Sequence, residues 1–138
     1  MNANKQWIRW FADLSIGDVP IVGGKNASLG ELFSNLKPLG INVPNGFAIT
    51  ADAYRYFLAE AGLNQRIPEL LADLDTADLE NLRQHGSQIR REILAAEIPK
   101  DLESEIVKAY ELRATLENPM PDVAVRSSAT AEDLPDAS

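Results

Sequence analysis

Five stretches of this sequence space their apolar residues as helices do, whereas only three short runs read as strands. That imbalance restricts the chain to a helix-rich α+β fold with a small sheet. Leu29, Leu32, Phe33 and Leu36 fall at i, i+3, i+4 and i+7, which predicts a helix burying that face, with Asn26 as its N-cap. Thr50 suits the cap of a second helix, to about Ala61, with Tyr54, Phe57, Leu58 and Ala61 inward and Gly62 ending it. A third, over 64–74, is expected to break at Pro68. Asp75 or Thr76 can cap a long fourth helix to about Glu97, with Leu79, Leu82, Gly86, Ile89 and Ile93 along one face. Pro99 suits the first turn of the last helix, running to about Leu116 and burying Leu102, Ile106, Ala109, Leu112 and Leu116.

The strand candidates are Trp7-Ile8-Arg9-Trp10-Phe11 (a strand or a helix cap), Gly46-Phe47-Ala48-Ile49-Thr50, and Val123-Ala124-Val125, read as a short buried strand. Asp18-Val19-Pro20 marks a turn and residues 39–46 a loop, while Asn118-Pro119-Met120-Pro121 ends the last helix.

Length and charge bound what such a fold can do. At 138 residues the chain fits one domain, and a 45% hydrophobic content is enough for a core. Asp and Glu outnumber Lys and Arg 21 to 13, a net charge of −8 that argues against nucleic acid or an anionic membrane as partner. Cysteine is absent, which excludes disulfides and thiolate metal sites and suits the cytoplasm. The N-terminal residues lack the apolar run of a secretory signal, and no window approaches a membrane span.

Two polar stretches stand out against this scaffold. Lys25 follows Gly23 and Gly24 where a helix begins, and free N–H groups there favour an anion. The turn is not a Walker A loop, because position 19 is Val and Asn26 follows the lysine. Arg126 lies at the end of the Val123 run, followed by Ser127, Ser128 and Thr130. A guanidinium fork with hydroxyls beside it matches a phosphate, and it equally suits a neighbouring carboxylate. His85 has no Ser, Cys or metal-ligand partner at a useful spacing and is read as a solvated surface residue without chemistry.

Three segments carry a family resemblance: Val22-Gly-Gly-Lys-Asn-Ala-Ser-Leu-Gly-Glu31, Val43-Pro-Asn-Gly-Phe-Ala-Ile-Thr-Ala51 and Val125-Arg-Ser-Ser-Ala-Thr-Ala-Glu-Asp-Leu-Pro-Asp-Ala-Ser138. In this order they resemble the phosphoenolpyruvate synthase family, which also holds pyruvate phosphate dikinase and rifampicin phosphotransferase. The resemblance implies that residues 1–138 are the N-terminal portion of an ATP-grasp nucleotide-binding domain, incomplete at its C-terminus. It implies ATP and Mg²⁺ as cofactors, with Lys25 and Arg126 as phosphate clamps and the Mg²⁺ ligands outside this chain. Catalytic residues are expected elsewhere too: in such enzymes ATP phosphorylates a histidine on another domain, releasing AMP and phosphate, and the phosphoryl group passes to pyruvate. His85 does not match that histidine. Partners on this reading are ATP, pyruvate and the remaining domains of one polypeptide, with a homodimer compatible; the chain alone is expected to be inactive. The antibiotic phosphotransferase and the dikinase share the Arg-Ser-Ser motif and are the rival readings. A non-catalytic helical interaction module is the reading of another class. Two structural expectations accompany the clamp: Lys25 and Arg126 open onto one cleft, and residues 130–138 are poorly ordered.

Overall fold

The aromatic run near the N-terminus forms the first strand, β1 (Ile8–Trp10), because alternate residues of so bulky a segment need a sheet face on which to pack. Its partner is β2 (Phe47–Ile49), antiparallel, with Ile8 opposite Ile49, Arg9 opposite Ala48 and Trp10 opposite Phe47. The Trp10 and Phe47 rings meet edge-on, with centroids 5.4 Å apart. The computed structural model describes residues 6–114 and 118–131. It divides into two compact units, Met1–Tyr54 with Asp101–Ser138, and Arg55–Lys100.

In the first unit β1 runs into two turns of 3-10 helix, Phe11–Asp13 and Ile16–Asp18, the latter closed by a capping box between Ser15 and Asp18. Two helices follow with a single residue between them, α1 (Val19–Val22) and α2 (Gly24–Leu36). That residue, Gly23, has φ of +81°, a region that side-chain-bearing residues rarely enter. Leu14, Val22, Ala27 and Ala48 form the buried core here, with Phe11 and Val19 packed against it. The Glu31 carboxylate on α2 accepts from the Ile16 N–H at 3.1 Å and ties the helix to the second 3-10 turn. Thr50, fully buried, accepts from the Ala53 N–H at 3.3 Å and starts α3 (Ala51–Glu60) as its position predicted.

The second unit takes the end of α3 and two further helices, α4 (Leu63–Leu71) and α5 (Leu79–Ala95), which pack on each other. Gly62, at φ of +71°, separates α3 from α4, as expected of a glycine past a helix end. Helix α6 (Lys100–Glu111) starts just after Pro99 and buries Leu102 and Ala109.

Several sequence expectations are corrected. Val123-Ala124-Val125 joins no ladder, and Val125 is 92% exposed. β-branched composition creates a strand only where a neighbour supplies hydrogen bonds and cover, and among the described residues β1 and β2 pair with each other alone. Asn26 is not the cap of α2: the helix starts earlier, at Gly24, and the Asn26 amide bonds back to the Val22 carbonyl at 2.9 Å. The buried face of α2 is Gly24, Ala27, Gly30 and Phe33, while Leu32 is 48% exposed. Small residues win that face because Leu14 lies directly against it; a Cβ on Gly30 would strike the Leu14 side chain and sit 2.8 Å from its carbonyl.

Tyr54 and Ala61 are exposed rather than inward. Pro68 lies inside α4 without breaking it, forgoing one N–H bond in a helix that ends three residues later. The cap of α5 is Asp78, accepting from the Glu80 and Asn81 N–H groups at 3.0 and 3.2 Å, while Asp75 caps only its own turn. Leu79, Leu82 and Leu112 are exposed. The expectations for Leu116 and for residues 132–138 fall outside the described residues.

Candidate functional site

Lys25 and Arg126, about a hundred positions apart in sequence, line one shallow pocket of about 280 Å³ together with Gly24, Ser28, Leu29 and Leu32. Lys25 is the second residue of α2, and the first N–H groups of a helix have no intrahelical acceptor. The two leucines, predicted for the core, give the pocket an apolar side next to its cations. Both cationic side chains are exposed, and among the described residues no ion pair engages Arg126.

The contact that joins the two motifs was not evident in the sequence. The Ser128 hydroxyl donates to the Val22 carbonyl at 3.1 Å, across 106 residues, and the Asn26 amide donates to the same oxygen at 2.9 Å. The Ser128–Ala129 backbone lies where a side chain at position 23 would be: a Cβ there would strike the Ser128 hydroxyl and sit 2.8 Å from the Ala129 carbonyl. Gly23 therefore serves two ends, a left-handed turn between helices and a seat for the Arg126 segment.

His85 differs from its expectation. Its side chain is only 15% exposed, with Nδ1 2.8 Å from the Asn81 carbonyl and Nε2 3.0 Å from the Asp73 carboxylate. Both partners accept, so the two contacts are hydrogen bonds at once when the ring carries its second proton. The Asn81 carbonyl first, and then Asp73, raise the His85 pKa above its ordinary 6.5, and the same contact lowers that of Asp73. This is a structural link within the second unit. Among the described residues no group of three or more His, Asp and Glu is placed to hold a metal ion.

The glycine turn and the distant arginine thus give one pocket a cationic lining, which suits an anion such as phosphate. Residues 19–138 match the family described as pyruvate phosphate dikinase, AMP/ATP-binding domain, and the chain belongs to that family. It is 50% identical to the phosphoenolpyruvate synthase of Escherichia coli over 138 residues, covering 99% of this chain and 17% of that protein. The Helicobacter pylori enzyme of the same name is 50% identical over 134 residues, 96% of this chain and 16% of that protein. That of Pseudomonas aeruginosa is 54% identical over 125 residues, 91% of this chain and 16% of the enzyme. The chain thus spans about a sixth of the length of these relatives.

Proposed function

We propose that this chain is part of the ATP-binding domain of a phosphoenolpyruvate synthase, in which Lys25 and Arg126 clamp the phosphates of ATP. The observation that supports this most is the shared pocket, since two cations from distant motifs line one surface. Polyphosphate transfer leaves little covalent chemistry to the protein; positioning and neutralising charge is most of the task. Arg126 supplies a planar fork for two oxygens, and Lys25 a point charge beside a helix N-terminus.

The parent activity on this reading is conversion of pyruvate, ATP and water to phosphoenolpyruvate, AMP and phosphate through a phosphohistidine on another domain, in the cytoplasm. Mg²⁺ does not fit the residues present: the pocket lining holds two cations and no carboxylate. An ion accompanying ATP would be held by the phosphates and by groups outside this lining.

In a full-length synthase carrying this segment, Arg126→Ala is expected to weaken ATP binding roughly tenfold or more, as loss of a charge-assisted contact does. Arg126→Lys should recover only part of that, and Arg90→Ala, on α5, should leave ATP binding unchanged. Equal affinity for wild type and Arg126→Ala in an equilibrium ATP titration would end the clamp reading.

A further inference from the structure

Resting on the clamp reading, we propose that Ser128 is a positioning residue, whose hydroxyl on the Val22 carbonyl holds Arg126 beside the Lys25 turn. Residues 121–129 form no helix or ladder, and Val125, Arg126 and Ser127 are all exposed, so backbone pairing does not fix this stretch. The Tyr110 hydroxyl donates to the Pro121 carbonyl at 3.0 Å, five residues before Arg126, and Ser128 ties the stretch down two residues after it. Its acceptor, the carbonyl of a buried residue, has two lone pairs, and Asn26 and Ser128 take one each. Gly23 leaves the space that lets the Ser128–Ala129 backbone come this close.

Arg126 is two residues from this pin, and two residues span at most about 7 Å even when fully extended. The pin thus confines the guanidinium to the neighbourhood of α2 before any ligand arrives, so less ordering remains to be done on binding. Ser128 touches no reacting atom on this account and acts through Arg126.

The test is a double-mutant cycle in a full-length synthase carrying this segment, read by equilibrium ATP titration, the KM for ATP, kcat and the thermal midpoint. Ser128→Ala is expected to weaken ATP binding about three- to tenfold, the range of one neutral hydrogen bond, and to raise KM with kcat and the midpoint little changed. Ser128→Thr, which keeps the hydroxyl, should restore most of the affinity. In an Arg126→Ala background, Ser128→Ala should have no further effect, because the group it positions is gone. Unchanged affinity in Ser128→Ala, with Arg126→Ala still weakened, overturns this proposal and leaves the clamp standing. An equal loss in both backgrounds, or failure of Ser128→Ala to fold, overturns it also, because Ser128 would then act on the fold at large. No effect of Arg126→Ala removes the clamp and this inference together.

Discussion

Helices α2 and α5 each contain a glycine well inside their span, and the two glycines serve different ends. In α2, Gly30 allows the helix backbone to lie against Leu14, and a Cβ there would meet main chain that cannot step aside. In α5, a Cβ on Gly86 would meet only the tip of the Arg90 side chain, at 3.3 Å, which can swing away. The arginines divide in the same manner. Arg66, in the second unit, is gripped by Glu92 through Nε at 3.1 Å and Nη2 at 3.2 Å. Glu92 raises the Arg66 pKa and has its own lowered in return. Arg126, in the first unit, faces the pocket instead. Where the chain brings its two motifs together it uses close backbone contact; in the Arg55–Lys100 unit it uses exposed charge pairs, which are tolerant of change.

Substitution at the two glycines sharpens this contrast most. Gly30→Ala should cost about 2–3 kcal/mol in urea denaturation, the usual penalty for overpacking against fixed neighbours. Gly86→Ala should be neutral or stabilise by up to about 1 kcal/mol, through helix propensity and a less flexible unfolded chain. If the two cost the same, the contrast is wrong. Next in size is Asp78→Ala, expected to cost about 1 kcal/mol by removing the α5 cap, with no effect on ATP binding.

The smallest effect is the pH dependence of the His85–Asp73 link. His85 has a raised folded pKa, so its contribution is full below 6.5 and is lost as pH rises through the folded value. Asp73 has a lowered one, so its contribution is present above 3.8 and is lost as pH falls through its folded value. The link is therefore strongest between those two values. His85→Gln should flatten the alkaline side of a stability-versus-pH curve measured by thermal melting; an unaltered profile would show the link to be inconsequential.

Helix existence was legible because periodic Leu and Ile and the punctuating Thr50, Gly62 and Pro99 act locally. The buried face of α2 was not, because Leu29, Leu32 and Leu36 are the larger apolar residues and outweigh small ones in a reading by hydrophobicity. Gly24, Ala27, Gly30 and Phe33, spaced by three, carried the competing stripe. Val123–Val125 misled because a strand is a property of two segments, and composition describes only one. Lys25 and Arg126 stood out as candidates from residue chemistry and motif, and the structure places both on one pocket. The Ser128–Val22 bond was not legible, for nothing local to either residue points to the other.

That bond has a consequence for when the site comes into being. Closing a loop of 106 residues costs on the order of 4 kcal/mol of chain entropy, and no helical turn nearby returns it. On the ribosome, at about 5–20 residues per second, the glycine turn is synthesised roughly 5–20 s before Ser128 is added. The pocket thus assembles later than the β1–β2 sheet, which needs only residues up to Ile49, and until then Val22 offers its carbonyl to Asn26 alone.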